Sequence, residues 1–233
     1  MSIKFTILGC GSSLGVPKTD GDWGKCNPKE KKNYRTRCCA LVTTKNKNIL
    51  IDTSPDLRQQ LLNNKITKID SVLYSHLHAD QTHGINDLRI FYMKTQKKIS
   101  IYADKTTSIY LKNNFSYCFN KSFDYPATLS LNLVKKKFFI DNTLFKTIAV
   151  KHGEIESQCY IINNKCAYAS DVDLIYKKDI KYFFKIDKLI IDCLRFKYHP
   201  AHYNLENVLK LIKELKPKKT ILTNLHSDLD YNN

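Results

Sequence analysis

Short apolar segments rich in β-branched residues recur along the chain, and segments with helical periodicity lie between them. The alternation predicts ten strands, at residues 5–8, 40–44, 48–51, 71–74, 99–102, 145–150, 159–162, 167–169, 189–192 and 220–223. It also predicts five helices, at residues 55–64, 85–94, 106–120, 174–184 and 205–215. Pro55 suits a first helical turn and Asn204 suits an N-cap. The pattern indicates a mixed α/β protein.

The region 129–162 is rich in strands, and Asp141-Asn142 within it is a turn signal for an antiparallel hairpin. Hairpins beside strand–helix–strand units favour an α/β fold in which two mixed β-sheets are flanked by helices, an αββα sandwich. The chain has 233 residues and only 7 Gly and 6 Pro to form a linker, so a single domain, 1–233, is expected. Residues 230–233 are expected to be a frayed end.

The composition of the chain bears on its compartment. No stretch approaches the roughly 18–20 uninterrupted apolar residues of a membrane helix, and residues 1–5 enter a strand pattern rather than a signal peptide. The 8 cysteines show no CxxC spacing, and several lie in apolar strand segments, so free thiols are expected. These features predict a cytoplasmic protein without a membrane partner.

The formal net charge of +16 is a candidate signal for a polyanionic partner such as RNA. Nearly all of the positive charge is lysine, scattered as solvated single residues and short runs such as Lys135-Lys136-Lys137. Nucleic-acid binding is therefore an open alternative that the charge pattern does not favour.

Three of the 7 histidines lie in the octet His76-Leu77-His78-Ala79-Asp80-Gln81-Thr82-His83, directly after the predicted strand 71–74. The imidazoles of His76 and His78 can converge on one cation while the Asp80 carboxylate faces a second position, and such mixed ligands suit Zn, Mn or Fe. A metal of this kind makes water nucleophilic near neutral pH. The octet therefore predicts a metal-dependent hydrolase.

The strand followed by His-x-His-x-Asp resembles the signature of the metallo-β-lactamase superfamily. Residues 8–17 (LGCGSSLGVP), 49–58 (ILIDTSPDLR) and 83–89 (HGINDLR) resemble the branch that contains phosphoribosyl 1,2-cyclic phosphate phosphodiesterase, and ribonuclease Z is a more distant relative. The resemblance implies the metallo-β-lactamase fold. It also implies a phosphodiesterase that acts on a small cyclic or nucleotide-like phosphate ester through a metal-bound hydroxide.

The resemblance assigns roles position by position. His152 would complete the histidine set of the first metal, and Asp171 would bridge two metals, so that the protein would hold one or two divalent ions, Zn, Mn or Fe. Asp80 and Asp171 would act in catalysis. His202 is the candidate general acid, because a histidine with a pKa near 6.5 can protonate a departing alkoxide at neutral pH.

Other polar side chains have candidate supporting roles. Phosphate binding is expected from four basic residues, Arg35, Arg37, Arg89 and His199. Asp192 ends a predicted strand, where a carboxylate can accept the second N–H of a functional imidazole.

Two positions depart from the family pattern. Gln81 stands where the family usually has a histidine, and Asn224 stands where it usually has the last histidine ligand. His83 and His226 each lie one strand period beyond those positions, so both are candidate metal ligands if the chain continues in an extended conformation. The second metal site is weakened, and a mononuclear enzyme is an open alternative.

Two rival functions follow from the same residues. An RNA 3′-end processing nuclease of the ribonuclease Z type would suit the positive charge, although no segment is long enough to form a protruding tRNA-binding arm. A degenerate, non-catalytic metal-binding scaffold would suit Gln81 and Asn224. The oligomeric state, including a homodimer, stays open.

Overall fold

A computed structural model of the chain describes residues 3–233, and Met1 and Ser2, the start of the segment compared with a signal peptide, lie outside the described residues. The chain divides into two compact units, one comprising the residues up to Leu8 and Cys39–Val134, the other Gly9–Cys38 and Lys135–Asn233. Residues 3–233 form two six-stranded sheets. The single domain stays a prediction, and each unit is described by itself.

The first sheet has its strands in chain order. They are β1 (Lys4–Gly9), β2 (Cys39–Thr43), β3 (Asn48–Ile51), β4 (Ser71–Leu73), β5 (Ile99–Ala103) and β6 (Leu129–Leu133). Strands β2 and β3 pair antiparallel, whereas β3 to β6 are parallel. The helices of this unit are α1 (Leu57–Asn63), α2 (Ala79–Thr82), α3 (Arg89–Thr95), α4 (Lys105–Asn114) and α5 (Ser116–Phe119), with a 3-10 helix at Ile85–Leu88.

Strand β4 carries the chain to the histidine octet. All three of its residues are buried, as in a central parallel strand that is covered on both faces. The strand pairs with β3 and β5, with Val72 aligned to Leu50 and Ile101. The buried octet residue His76 follows only three residues after the strand ends, so the sheet fixes where the octet begins.

The second sheet runs in the order β12-β11-β10-β9-β8-β7. Its strands are β7 (Lys137–Ile140), β8 (Thr143–His152), β9 (Ile155–Ile162), β10 (Cys166–Ala169), β11 (Lys188–Asp192) and β12 (Lys219–Thr223). Strands β7 to β10 are antiparallel, and β10 to β12 are parallel. The unit also holds α6 (Leu205–Leu215) and 3-10 helices at Lys31–Asn33 and Ile180–Tyr182.

Helix α6 has the predicted bounds, and its N-cap is confirmed: the side chain of Asn204 accepts the N–H of Asn207. Its buried residues Val208, Leu211 and Leu215 recur at helical spacing and face the core of the second unit. The helix ends at Leu215, and its C-cap Lys216 adopts a left-handed conformation with φ +50°.

All ten predicted strands are present, and the Asp141-Asn142 turn is confirmed, with φ values of +48° and +60° between β7 and β8. The predicted helix over 106–120 is interrupted after Asn114, and α1 begins at Leu57, so Pro55 lies outside its first turn. All eight cysteines are free thiols. Within residues 3–233, no helix combines the length and the apolar character that crossing a membrane requires.

The helix predicted at residues 174–184 is wrong. Only Ile180–Tyr182 forms a 3-10 turn. The carbonyl of Leu174 accepts the N–H of Lys151, the end of β8, and the N–H of Ile175 donates to the Tyr203 hydroxyl. These tertiary hydrogen bonds satisfy the backbone that a helix would otherwise use, so context overrides the local propensity.

Candidate metal centre

In the first unit, His76 and His78 bring two ring nitrogens together. Nε2 of His76 lies 3.0 Å from Nδ1 of His78, and the rings meet edge to face. Two nitrogens bound to one zinc ion at 2.0–2.1 Å in tetrahedral geometry are about 3.3 Å apart, so this spacing fits a shared cation. His76 is buried, and its Nδ1 lies 3.0 Å from the Ser75 hydroxyl, which orients the ring.

Asp80 and Gln81 follow on the short helix α2. Gln81 is fully buried, and its side-chain N–H donates to Oδ2 of Asp80 over 3.0 Å. The backbone of α2 is fixed from the loop after β3, because the N–H of Thr53 donates to the carbonyl of Gln81 and the N–H of Gly84 donates to the carbonyl of Thr53. The loop thus positions the Asp80 carboxylate.

His83, the third histidine of the octet, has other partners. It is exposed at the C-terminus of α2, its Nδ1 lies 3.1 Å from the Thr82 hydroxyl, and its ring packs edge to face against Phe115 at 5.3 Å. None of the clusters of metal-ligating atoms among residues 3–233 includes it. The helical turn of α2 between His78 and His83 replaces the extended conformation that the offset-ligand prediction required.

In the second unit, His152, Asp171 and His202 each offer a ligand atom within 4.8 Å of the other two. Nδ1 of His152 donates its proton to the carbonyl of Ala201 over 2.7 Å, because a carbonyl can only accept. The hydrogen bond leaves Nε2 of His152 as the ligand atom. The last residue of β8 is thus held in one tautomer by the loop that carries His202.

His202 is oriented by a carboxylate. Its Nδ1 lies 2.6 Å from Oδ2 of Asp192, the fully buried last residue of β11, so the supporting role predicted for Asp192 has a geometric basis. The N–H of Val172 donates to the same oxygen. Burial raises the pKa of Asp192 to about 7, and the hydrogen bond from His202 opposes that rise.

Asn224 lies between the two buried carboxylates of this unit. Its side-chain nitrogen is 3.3 Å from Oδ1 of Asp171, 3.2 Å from Oδ1 of Asp192 and 3.1 Å from Nδ1 of His202. It follows β12 directly and has φ +60°, so the extended conformation stops there. The extended conformation on which the prediction of His226 as a ligand depended is therefore absent at Asn224.

His226 sits in a local turn instead. Its Nδ1 accepts the N–H of Asp228 at 3.3 Å, and the ring lies outside the clusters of ligating atoms among residues 3–233. Burial lowers the pKa of His226, with Asp228 opposing that shift. His199 lies with its ring 5.0 Å from the His202 ring, and burial, followed by the charge of His202, lowers its pKa.

Arg35 holds the C-terminal segment of the chain. Its guanidinium is buried and donates to the carbonyl of Leu229 over 2.7 Å and to Oδ1 of Asn33 over 3.0 Å. Asn33 in turn donates to the carboxylate of Asp230 and accepts the N–H of Tyr231. The N–H of Asn232 donates to Oδ1 of Asp230 and the N–H of Asn233 to the carbonyl of Asp230, so the prediction that residues 230–233 form a frayed end is wrong. The geometry gives Arg35 a structural role rather than an open phosphate-binding face.

Arg37 and Arg89, the other two arginines predicted to bind phosphate, have different neighbours. Arg37 donates Nε–H to the carbonyl of Ser13 over 2.8 Å. Arg89, at the start of α3, is exposed, with its Nη1 at 3.5 Å from the Tyr125 hydroxyl and its guanidinium 5.7 Å from that ring. The contact between Arg89 and Tyr125 was not predicted from the sequence, where Tyr125 is only an aromatic residue in the loop before β6.

Each sheet carries histidine and carboxylate groups at or just after strand ends, an arrangement typical of metal-binding α/β proteins. Residues 47–224 match the family described as the Beta-lactamase superfamily domain, and this match covers most of the chain. The chain belongs to this superfamily. Its two mixed six-stranded sheets with flanking helices are those of the metallo-β-lactamase fold, so the predicted fold class is confirmed.

Known proteins similar to the chain include a solved structure described as a new diphosphatase from the PhnP family. It is 33% identical, with a TM-score of 0.90, and the match covers 98% of this chain and 88% of that one. Human tRNase Z, short form, is 15% identical with a TM-score of 0.72 and 97% and 93% coverage, which shows a shared fold. An octanoyltransferase from Porphyromonas gingivalis is 30% identical over 229 residues, 96% of this chain but only 46% of that longer protein.

Proposed function

We propose that the chain is a metal-dependent phosphodiesterase that acts on a small cyclic or nucleotide-like phosphate. The observation that carries the proposal is the arrangement in the second unit, where Asp192 holds the imidazole of His202 beside the ligand atoms of His152 and Asp171. A proton donor next to metal-ligating groups is the combination that cleavage of a phosphate ester requires.

The donor set fits a divalent transition metal. His76 and His78 present two nitrogens at a spacing suited to one cation, and the tautomer of His152 leaves Nε2 available. We assign His76 and His78 in the first unit, and His152 and Asp171 in the second, as ligands for Zn or Mn, with Asp80 as a further carboxylate of the first unit. When bound, such an ion supplies Lewis-acid polarisation of a phosphoryl oxygen and lowers the pKa of water.

His202 is assigned the proton transfer to the leaving group. Because Nδ1 donates to the Asp192 carboxylate, the proton that moves is the one on Nε2. The Asp192 carboxylate stabilises the imidazolium form of His202. A protonated His202 thus delivers its Nε2 proton to the departing oxygen.

Arg89 is assigned to bind the phosphate. Its exposed guanidinium, supported by the Tyr125 ring, can donate two parallel hydrogen bonds to phosphate oxygens. The buried guanidinium of Arg35 is committed to the carbonyl of Leu229 and to Asn33, so the proposal places it outside the substrate site.

A small organic diphosphate is a second candidate substrate. The 33% identical PhnP-family protein is described as a diphosphatase. When the anhydride bond of a diphosphate is cleaved, the bridging oxygen departs with the leaving phosphate, and a general acid can protonate that oxygen. The same residues would serve either substrate. The two candidates are separated by comparing turnover of bis(p-nitrophenyl) phosphate and cyclic nucleotides with turnover of nucleoside diphosphate esters.

The first experiment is to measure the metal content of protein purified without added metal or chelator, with hydrolysis assays before and after adding Mn or Zn. We expect bound metal and metal-dependent turnover of a diester or a diphosphate. Cleavage of precursor tRNA with inactivity on small substrates would favour the ribonuclease Z alternative instead, and bound metal with no turnover would favour a scaffold.

Matched histidine variants sharpen this experiment. His76→Ala and His152→Ala should lose metal and activity, because each removes an imidazole ligand. His83→Ala should retain both, since its ring contacts Thr82 and Phe115. Equal metal loss in all three variants would contradict the ligand assignment, and a wild-type protein without metal under every condition would refute the proposal.

A further inference from the structure

Two side-chain amides lie on carboxylates of the proposed ligand set, one in each unit. In the first unit, Gln81 donates its Nε2–H to Oδ2 of Asp80 over 3.0 Å, and the glutamine is fully buried. In the second unit, the nitrogen of the buried Asn224 lies 3.3 Å from Asp171 and 3.2 Å from Asp192. Each amide nitrogen thus lies where a cation bound to the same carboxylate oxygen could otherwise lie.

The charges around Asn224 decide which end of its amide faces the carboxylates. An amide oxygen at that point would oppose two carboxylate oxygens at 3.2 and 3.3 Å, whereas the nitrogen donates to both. The nitrogen of an amide carries donors and has no lone pair to offer a cation. Asn224 in this orientation therefore partners the carboxylates but cannot ligate a metal there.

An N–H group and a divalent cation compete for the same carboxylate oxygens. A buried carboxylate such as Asp171 or Asp192 must be neutralised by a cation or by hydrogen-bond donors, and Asp80, which is half-buried, shares this requirement in part. Gln81 supplies the donor for Asp80, and Asn224 supplies it for Asp171 and Asp192.

We propose that this chain binds a single divalent cation, because the side-chain N–H of Gln81 takes the place of a cation on Asp80 in the first unit and that of Asn224 takes the place of a cation on Asp171 in the second. The inference rests on the proposed function as a metal-dependent hydrolase and narrows it to a mononuclear enzyme. In such an enzyme the two amides are positioning residues that hold the carboxylates. Transition-state charge is then shared between one cation and the cationic side chains His202 and Arg89.

The inference is tested by metal stoichiometry, read by elemental analysis and native mass spectrometry on protein dialysed against excess Mn. The wild type should hold one Mn per chain and show the six-line electron paramagnetic resonance spectrum of an isolated ion. The double variant Gln81→His/Asn224→His replaces both donors with imidazole ligands and should hold two Mn per chain. A matched control, Gln59→His/Asn207→His, places the same changes on exposed positions of α1 and α6 and should hold one.

The outcomes separate this inference from the proposed function. Two Mn per wild-type chain would overturn the inference while leaving the metal-dependent hydrolase intact, whereas no Mn would refute the proposed function itself. If the double histidine variant fails to fold, the near-isosteric Gln81→Glu and Asn224→Asp variants remove the same donors and add charge. They should raise the number of Mn bound from one toward two, and a count that stays at one would contradict the role given to the amides.

Discussion

Gly84 is the position where a single methyl group should do most damage to the site. It follows His83, and a Cβ added there would lie 2.1 Å from the carbonyl oxygen of Ser54 and 2.9 Å from Cβ of Leu57. Its φ of −85° is ordinary for any residue, so the requirement for glycine is steric. Both contacts belong to the loop after β3 and the start of α1, against which α2 is held.

The magnitude follows from the nature of the clash. Overpacking a core costs about 1–3 kcal/mol, and the upper end applies to Gly84→Ala because a backbone carbonyl cannot rotate away as a side chain can. For a chain of this size, 1 kcal/mol lowers Tm by about 2–4 °C. A loss of about 3 kcal/mol therefore corresponds to a fall in Tm of about 6–12 °C. Displacing α2 also moves Asp80, so weaker metal binding should accompany the loss.

The assay is thermal unfolding followed by circular dichroism, with metal content measured on the same samples. Gly21→Ala is the control, because its φ of +85° strains an alanine while no atom lies within 4 Å of the added Cβ. That variant should lose about 1–2 kcal/mol from backbone strain alone. A Tm for Gly84→Ala at or above that of Gly21→Ala would refute the steric reasoning.

Three further changes test other parts of the structure. His202→Ala should keep its metal but lose at least about 100-fold in kcat, and loss of metal would instead make His202 a ligand. Arg89→Ala should raise KM about tenfold or more with unchanged metal content, and an unchanged KM would remove Arg89 from substrate binding. Hydrogen bonds to the Asp230 carboxylate, chiefly from the backbone N–H of Asn27 and also from Asn232 and Asn33, hold the pKa of Asp230 below its usual range. The ionised carboxylate therefore stabilises the fold at neutral pH, and this stabilisation is lost as the pH falls through that pKa. Asp230→Asn should therefore lower Tm at about pH 7, with a difference that shrinks toward about pH 3 and that should not be pH-independent.

The fold was predictable where local pattern and tertiary packing agree. Helix α6 has the predicted bounds because its cap residue Asn204 and its apolar stripe act together. Residues 174–184 instead form hydrogen bonds with Lys151 and Tyr203, which both lie outside the segment and are distant from it in sequence. No local signal reports such partners. Strand β7 follows a run of lysines and is exposed at alternate residues, so its short apolar segment was not assigned to a separate strand.

The candidate site was predictable where its residues are contiguous. The octet indicated metal binding because three histidines and a carboxylate lie within eight positions. The link between Asp192 and His202 depends on a strand end and a loop ten residues later, and the direction of the Asn224 amide depends on a left-handed backbone conformation. A left-handed conformation in a non-glycine residue has no strong sequence signal. The end of the extended backbone at Asn224, before His226, could therefore not be predicted.

The clamp that Arg35 and Asn33 form on residues 229–231 also has a consequence for biosynthesis. The clamp joins positions separated by 194 and 197 residues. At about 5–20 residues per second, a ribosome needs about 10–40 s to add that length. During this interval Arg35 and Asn33 are in the nascent chain without the partners that bury them, so the second unit completes its packing only after residue 231 has left the ribosome. The first unit draws its segment from Cys39 to Val134 and can form its sheet much earlier in synthesis.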